Sequence, residues 1–270
     1  MRNTFFLPVN ATSGILTELE KQNIDILCVR RVKMKVIINT PEKVAQLAAQ
    51  RYVELLSDKP NAILGYATGS TPLGLYAELV KLNKSGDITF KDVTTFNLDE
   101  YVGLDGTHDQ SYRYFMDKNL FEHIDIDMAK THVPSGIDIE KAAEYDAEIE
   151  KAGGIDLQLL GIGNNGHIGF NEPDTPFGSI THKVELTEST REANKRFFNS
   201  IDEVPTHAVT MGIKTVMNAR KIILIALGTA KAPIIRETIK GEVTPRVPAS
   251  VLQLHPDGEI YLDHDAASML

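Results

Sequence analysis

The sequence predicts an α/β fold in which helices cover both faces of a mostly parallel central sheet. Short apolar runs without polar alternation, such as 155–160 and 221–227, are typical of strands that are buried on both faces. Segments with helical spacing of apolar residues separate these runs, which is the order expected when crossover helices join parallel strands. Because no repeat, low-complexity tract or clear linker interrupts the pattern, one α/β domain is the simplest interpretation.

The predicted strands and helices alternate from Met34 onward. The strand-like runs are rich in aliphatic and β-branched residues and lie at 34–38, 62–66, 93–98, 155–160, 221–227 and 259–262. The helix-like runs lie at 41–56, 72–82, 110–121, 140–151 and 231–239. Pro41 and Pro72 suit a first helical turn, so that Thr71 is predicted as an N-cap, and Gly241 follows the last helix.

The composition argues against several classes of function. The 270 residues carry a net charge of −9 without a Lys- or Arg-rich block, so no nucleic-acid partner is expected. The single cysteine, Cys28, allows no intrachain disulfide, and without a Cys/His cluster a structural zinc site is not expected. No segment reaches the roughly 18 apolar residues of a membrane span, so we expect a cytoplasmic protein without a membrane partner.

Residues 1–33 fit the pattern poorly. Phe5-Phe6-Leu7 is too short for the core of a signal peptide. A helix from Ser13 to Gln22 fits the local pattern, with Ser13 as its cap, but it is too short to be stable alone. We therefore divide the chain into an N-terminal extension, 1–33, which is disordered or an upstream start, and a single catalytic domain, 34–270.

A loop of small polar residues follows the second strand. Thr68-Gly69-Ser70-Thr71-Pro72 stands between a strand and a helix, where free N–H groups and the helix dipole favour an anion. The loop lacks the Gly-Lys-Ser/Thr ending of a nucleotide P-loop and the G-x-G-x-x-G spacing of a dinucleotide site. It indicates a phosphate site of another kind, and the alternative is a plain capped helix start.

Two adjacent carboxylates follow the third strand, in Asn97-Leu98-Asp99-Glu100-Tyr101. Successive side chains at the end of a strand point apart, so Asp99 and Glu100 need not share a role. One carboxylate could face a ligand and act as a general base. The alternative is an aspartate that caps the next element beside a solvated glutamate.

The most informative segment is a Gly-rich turn at 161–173 that follows the best strand. Open α/β sheets bind ligands at the carboxyl ends of their strands, where this turn lies. His167 can exchange protons near neutral pH, and Glu172 could hold its imidazole in one tautomer. A Ser-His-Asp hydrolase is disfavoured because the chain has no Gly-x-Ser-x-Gly elbow. The alternative is a glycine-rich turn with a surface histidine.

Two cations are candidates for binding an anion. Arg196 lies in the charge-dense, helix-like segment 190–198, and Lys231 follows the apolar strand 221–227 at the same edge of the predicted sheet. Since most surface arginines and lysines are only solvated, each is a weak indication alone.

Together these segments resemble the glucosamine-6-phosphate deaminases, a family of glucosamine/galactosamine-6-phosphate isomerases, in their short, unregulated bacterial form. The resemblance covers about 34–268 and rests on 68–72, 97–101, 163–173, 194–198, 228–231 and 252–256, in that order. It implies a three-layer Rossmann-like sandwich with a mobile lid at about 186–207. The implied reaction, in amino-sugar catabolism, converts glucosamine 6-phosphate and water to fructose 6-phosphate and ammonia, without metal or organic cofactor.

The resemblance also implies the roles of individual residues. His167 would move the proton that opens the sugar ring, with Glu172 orienting it, and Asp99 would carry a proton from C2 to C1. Asn165 stands where some members have aspartate, and because an amide cannot accept that proton we assign it an orienting role. The substrate phosphate would be held by six residues: Thr68, Gly69, Ser70, Thr71, Arg196 and Lys231.

The chain departs from the regulated, hexameric members of that family. The charges of the segment 179–185 do not match the basic residues of their allosteric site, and the chain ends soon after Asp263. We therefore expect an unregulated monomer or small homo-oligomer whose partner is a small-molecule sugar phosphate.

Two other functions are considered. A 6-phosphogluconolactonase shares the fold but needs no base at C2, so 97–101 together with His167 favours the deaminase. A sugar-phosphate sensor of a transcription regulator needs a DNA-binding helix pair, which residues 1–33 are too short and too weakly basic to supply.

Overall fold

The computed structural model describes the backbone of 25–28 and residues 34–270, without the side chain of Phe197. The helix predicted from Ser13 to Gln22 lies outside the described residues, as does the rest of the predicted extension apart from 25–28. The described strands are β1 Asp25–Cys28, β2 Lys35–Ile38, β3 Ile63–Tyr66, β4 Thr94–Asn97, β5 Asp99–Tyr101, β6 Thr131–His132, β7 Leu157–Leu160, β8 His182–Glu185, β9 His207–Thr210, β10 Lys221–Ala226 and β11 Gly258–Leu262.

Eight of these described strands form the central sheet, in the order β1-β2-β11-β10-β7-β3-β4-β6. Neighbouring strands pair in parallel, except that β1 pairs antiparallel with β2. The chain progresses in one direction from β3 to β4 and β6, and in the other from β7 to β10 and β11. Strand order therefore reverses between β3 and β7, and the carboxyl ends of strands beside such a reversal form the ligand crevice of open α/β sheets.

Helices cover this sheet on both faces. Every side chain of β3, β7 and β11 is buried, and successive side chains of a strand point to opposite faces, so neither face meets solvent there. The described α-helices are α1 Pro41–Asp58, α2 Leu73–Ser85, α3 Tyr112–Asn119, α4 Ala142–Ala152, α5 Glu188–Asn194, α6 Ile213–Met217 and α7 Ala232–Lys240. The predicted α/β layering is confirmed. None of the described helices is long and apolar enough to span a bilayer.

The prediction of Thr71 as the N-cap of α2 was wrong by one residue. Pro72 takes that position with helical dihedral angles of −77° and −8°, and no side chain caps the helix. The carbonyl oxygen of Pro72 accepts the hydrogen bond of the Tyr76 N–H group at 2.9 Å. Because the proline ring already holds a near-helical φ, the helical turn starts without a capping hydroxyl. The hydroxyl of Thr71 is therefore not used at this helix end.

A second, three-stranded antiparallel sheet, β5-β9-β8, lies beside the central one. The sequence pattern does not predict it, because β8 alternates only between half-buried and exposed side chains. The run predicted as a single strand at 93–98 ends at Asn97, and β5 begins at Asp99 on the other sheet. Leu98 joins the two sheets: its N–H group donates to Tyr66 O at 3.0 Å, and its carbonyl oxygen accepts from Met211 N at 2.7 Å.

Candidate active site

A cavity of about 710 Å³ opens at the carboxyl ends of the strands beside the reversal. The loops after β3, β4, β7 and β10 all contribute to its wall, together with α5. Nine of the predicted site residues line it: Thr68, Gly69, Ser70, Thr71, Asp99, Asn165, His167, Arg196 and Lys231. The tenth, Glu172, is buried behind His167. The structure thus brings together all the residues that the sequence singled out.

The loop after β3 forms one end of the cavity. Gly69 adopts a φ of 91°, which a residue with a Cβ rarely accepts, and the backbone turns there toward α2. The buried Tyr76 hydroxyl, in the first turn of α2, donates to the carbonyl oxygen of Ala67 and fixes the loop to the helix. Across the cavity mouth, Nη2 of Arg196 lies 3.4 Å from Oγ of Ser70. The loop therefore combines hydroxyl groups with a guanidinium at one place.

Lys231 lies at the same end of the cavity, on the turn between β10 and α7. Its Nζ donates to the carbonyl oxygen of Ile162 at 2.7 Å. Burial lowers the pKa of Lys231, and the positive charge of Arg196 lowers it further. The turn itself is fixed by the buried Asp263, whose carboxylate oxygens both lie 2.9 Å from the N–H group of Gly228. Two cations that repel one another are well placed to share an anion.

Asp99 provides a carboxyl group to the wall of the same cavity. Its side chain is buried, and burial together with the neighbouring Glu100 raises the pKa of Asp99 to about 8. Gly169, with a φ of 58°, lies in front of it: a Cβ atom there would come within 3.5 Å of Oδ2 of Asp99 and 2.8 Å of Oγ1 of Thr210. The absence of a side chain at Gly169 keeps the approach to Asp99 open.

The carboxylate of Glu100, the neighbour of Asp99, binds the N-terminus of α3. Its Oε1 accepts from the N–H group of Tyr112 at 2.9 Å, and its Oε2 accepts from that of Arg113 at 3.0 Å, so the carboxylate covers the start of α3. Burial raises the pKa of Glu100 to about 7 in spite of these hydrogen bonds. Asp99 thus faces the cavity, whereas Glu100 contacts the start of α3. This agrees with the prediction that the two carboxylates need not share a role.

His167 and Glu172 form a pair across the Gly-rich turn. Nδ1 of His167 lies 3.5 Å from Oε2 of Glu172, a longer separation than a well-formed hydrogen bond. Asn165 bridges the pair: its Nδ2 donates to the same Oε2 at 2.7 Å, and its Oδ1 accepts from the His167 N–H group at 3.2 Å. The amide thereby holds both the carboxylate and the backbone that carries the imidazole.

The other oxygen of Glu172 faces α5. Its Oε1 accepts from the hydroxyl of Thr190 at 2.5 Å and lies 3.2 Å from that of Thr187. Burial raises the pKa of Glu172, but the contact with His167 and the hydrogen bonds from Thr190 and Asn165 outweigh this effect and hold the pKa at about 2. Glu172 is therefore a permanent negative charge behind the imidazole.

A cluster of aromatic side chains forms part of the cavity wall. Tyr101 packs against Tyr112, Phe170 and Phe198, with ring centroids 4.8, 5.7 and 5.8 Å apart. The hydroxyl of Tyr112 lies 3.3 Å from that of Tyr101. An apolar wall with hydroxyl groups suits the faces and edges of a sugar ring, which are apolar and polar respectively.

Among residues 34–270, no group of three or more His, Cys, Asp or Glu side chains is arranged to hold a metal ion.

Comparison with known proteins assigns the family. The model of the family described as glucosamine-6-phosphate isomerases/6-phosphogluconolactonase matches residues 39–262, which is most of the chain. The chain belongs to this family. Its relatives include a glucosamine-6-phosphate deaminase of Thermoanaerobacter pseudethanolicus, 55% identical over 241 residues that span 88% of this chain and 95% of the relative. Another, from Lachnoclostridium phytofermentans, is 60% identical over 74% of this chain and 86% of its own length.

Solved structures in the family agree with the fold. A monomeric glucosamine-6-phosphate deaminase superposes with a TM-score of 0.85 at 42% identity, covering 87% of this chain and 99% of that one. A 6-phosphogluconolactonase of Thermotoga maritima superposes with a TM-score of 0.67 at 18% identity, covering 86% and 99% of the two chains. At that identity the second likeness shows the shared fold alone.

Several residues that shape the site have no clear signal in the sequence. Thr187 is recognisable as the N-cap of α5, since it precedes a helix and accepts from Thr190 N, but its approach to Glu172 is a tertiary contact. Asp263 lies 35 residues from Gly228 and far from any motif. Gly163 is visible as part of a glycine-rich turn, but only the structure shows that it lies against His167.

Proposed function

We propose that this protein is a glucosamine-6-phosphate deaminase, which converts glucosamine 6-phosphate and water to fructose 6-phosphate and ammonia. The single observation that carries the proposal is the convergence of three groups on one cavity. These are the loop 68–71 with its two cations, the His167–Glu172 pair and the carboxyl group of Asp99. Relatives that are 48–60% identical carry the same name.

The phosphate group is assigned to the loop end of the cavity. Thr68, Ser70 and Thr71 supply hydroxyl donors there, and Arg196 and Lys231 supply positive charge. Bound in this way, the phosphate fixes the position of the sugar carbons relative to groups deeper in the cavity. Such an anchor contributes to the rate by holding a poorly reactive C–H bond beside its base.

Ring opening is assigned to His167. The imidazole takes the proton of the anomeric hydroxyl and gives a proton to the ring oxygen, which breaks the C1–O5 bond and leaves the open-chain aldehyde. Glu172, which stays ionised, stabilises the imidazolium form during this exchange and orients the ring. Asn165 holds Glu172 and the backbone of His167 in register.

Isomerisation is assigned to Asp99. In its ionised form the carboxylate removes the proton from C2, and the C–H electron pair forms a C1=C2 double bond while the aldehyde oxygen takes a proton, which gives an enolamine. Asp99 then returns the proton to C1, so that C2 becomes an imine. Water adds to this carbon and ammonia leaves, which yields fructose 6-phosphate. The raised pKa of Asp99 suits this role, because a stronger base is matched to a weak carbon acid.

A 6-phosphogluconolactonase is the second candidate function, because the family model includes that enzyme. Lactone hydrolysis needs the anion site and a histidine but no base at C2. The test is ammonia release from glucosamine 6-phosphate, followed through glutamate dehydrogenase, beside hydrolysis of 6-phosphogluconolactone. Ammonia release with no lactone hydrolysis supports the deaminase, and the reverse result overturns it.

Further properties belong to the same proposal. We infer a catalytic domain of residues 34–270, a cytoplasmic location and a monomer or small homo-oligomer without allosteric control. The monomeric relative at 42% identity supports the oligomeric state. Light scattering would measure the mass in solution. A sigmoidal velocity curve that N-acetylglucosamine 6-phosphate makes hyperbolic would refute the absence of regulation.

The segment 186–207 is proposed as a lid. Hydrogen exchange of its backbone amides is expected to become slower when the sugar phosphate is bound.

A further inference from the structure

The two carboxylate oxygens of Glu172 contact two different parts of the molecule. Oε2 faces the Gly-rich turn, with Nδ2 of Asn165 at 2.7 Å and Nδ1 of His167 at 3.5 Å. Oε1 faces α5 and accepts from the Thr190 hydroxyl at 2.5 Å. Glu172 is thus the point at which the helix of the proposed lid meets the imidazole.

Thr190 is placed to control this contact. Thr190 and Glu172 are both buried, with relative exposures of 5% and 6%, so solvent does not readily replace the hydroxyl. The hydroxyl of Thr187 also lies within 3.2 Å of Oε1, but it is 3.1 Å from Oγ1 of Thr190 and 3.0 Å from Oγ of Ser189. Thr187 has one hydroxyl proton for these three acceptors. Thr190 is therefore the main hydroxyl donor to Oε1 of Glu172.

The same helix leads to the anion site. After α5 ends at Asn194, a 3-10 turn, Lys195–Phe197, carries Arg196, whose guanidinium lies beside Ser70. Arg196 lies six positions after Thr190, which is about 9 Å along a helix at roughly 1.5 Å per residue. One short, continuous helical segment therefore contacts the carboxylate behind His167 at one end and the proposed phosphate loop at the other.

We propose that Thr190 is a positioning residue that transmits phosphate binding at Arg196 to the Glu172–His167 pair. When an anion draws Arg196 toward the loop 68–71, α5 is held in place and Thr190 fixes Glu172 against the imidazole. Without the anion, the contact is made for a smaller part of the time, and His167 is less well oriented. This inference rests on the proposed function for its kinetic part, but its structural part concerns phosphate and His167 alone.

The test removes the hydroxyl of Thr190 while keeping its shape. Thr190→Val is expected to lower kcat for glucosamine 6-phosphate by about 10- to 100-fold, the range for lost orientation of an acid–base group, with KM changed less than about threefold. Thr190→Ser, which restores the hydroxyl, should recover most of the activity. Thr238→Val is the matched control: it alters a buried threonine in α7 whose hydroxyl has no hydrogen-bond partner among the described residues, and should leave kcat unchanged.

A second measurement distinguishes lost coupling between phosphate binding and His167 from a general loss of protein stability. The ring signals of His167, assigned with His167→Gln, are followed by NMR as inorganic phosphate is added. In the wild type they should shift on saturation. In Thr190→Val phosphate should still bind, by calorimetry, but the His167 shift should be reduced at least severalfold. If Thr190→Val does not fold, Thr190→Ala removes the same hydroxyl with less bulk.

A wild-type kcat and a wild-type His167 response in Thr190→Val would overturn the inference. So would lower thermal stability with an intact response, because that is the behaviour of a residue with a structural role only. If the wild type releases no ammonia, the proposed function fails; the NMR titration then still decides whether phosphate and His167 are coupled through Thr190.

Discussion

Gly163 lies directly against the imidazole ring of His167. A Cβ atom at this position would come within 2.5 Å of both ring nitrogens, closer than non-bonded atoms approach. The backbone of the same turn is tied together, since Gly163 N–H donates to the carbonyl oxygen of His167 at 2.9 Å. The position of the imidazole therefore depends on a residue without a side chain.

Substitution of Gly163 by alanine is expected to displace His167 and lower kcat for ammonia release by at least about 10-fold, since small errors in the position of an acid–base group are costly. Gly178→Ala is the control, because a Cβ there would have no atom within 4 Å and Gly178 does not line the cavity. The coupled glutamate dehydrogenase assay measures both variants. Equal activity of the two would contradict the contact.

Asp99→Asn tests the proposed base. The amide keeps the size of the side chain but cannot remove a proton, so turnover should fall at least about 100-fold while binding of the sugar phosphate persists. Calorimetric titration with glucosamine 6-phosphate measures binding, and the coupled assay measures turnover. Near-normal turnover would remove Asp99 from the proposed mechanism.

The same variant should change the dependence of stability on pH. The pKa of Asp99 is raised to about 8, whereas an aspartate in the unfolded chain has a pKa of about 4. The folded state thus retains a proton that the unfolded chain releases, so this stabilisation is full below about pH 4 and is lost as pH rises through about 8. The free energy of unfolding of Asp99→Asn should therefore rise relative to that of the wild type by on the order of a few kcal/mol between pH 5 and pH 8, as measured by urea unfolding. The same difference between the two proteins at both pH values would contradict this.

Glu100→Gln should show the same kind of pH dependence over a lower pH range. Burial raises the pKa of Glu100 from 4.5 to about 7, so the folded state retains a proton that the unfolded chain releases. The wild type therefore loses stability relative to Glu100→Gln as pH rises from about 5 through 7, by on the order of a few kcal/mol. Urea unfolding at pH 5 and pH 8 measures the two free energies. An equal difference at both pH values would show that burial does not control this carboxyl group.

The cations of the proposed anion site, Arg196 and Lys231, should affect substrate binding more than the chemical step. Lys231→Met removes a partly buried charge and should raise KM for glucosamine 6-phosphate by about 10- to 100-fold, the effect of one lost charge-assisted contact. Competition by inorganic phosphate should weaken in parallel. Lys240→Met, at the far end of α7, is the control, since Lys240 does not line the cavity. An unchanged KM for Lys231→Met would place the phosphate elsewhere.

The sequence predicted the parallel sheet and the site motifs because both produce local signals. The unbroken apolar runs of β7 and β10 mark strands that are buried on both faces, and the loops after them follow directly. The ends of the helices were less well predicted: α3 begins at Tyr112 rather than at Gln110 because Ser111 caps it. Helix boundaries depend on single capping contacts, which carry less information than a long apolar stripe.

The second sheet could not be predicted, because it consists of short strands that are far apart in the sequence. Asp99 pairs with Thr210, a separation that no periodic pattern records. The contact of Thr190 with Glu172 likewise joins residues 18 positions apart through the fold of the intervening chain. Residue types indicated which chemistry was available, whereas the distances between them depended on tertiary structure.

Leu98 fixes the position of the second sheet relative to the central sheet. Its backbone hydrogen bonds, of 3.0 and 2.7 Å, join the sheet that carries the loop 68–71 to the sheet that carries Asp99, so covalent geometry and these two bonds set the distance between the loop and Asp99. In the proposed mechanism, a substrate anchored by its terminal phosphate therefore presents one particular carbon to the carboxylate of Asp99, counted from the phosphate end. Amino-sugar phosphates one carbon shorter or longer should bind and yet offer the wrong carbon, so that selectivity for a six-carbon skeleton arises without any residue that recognises chain length itself.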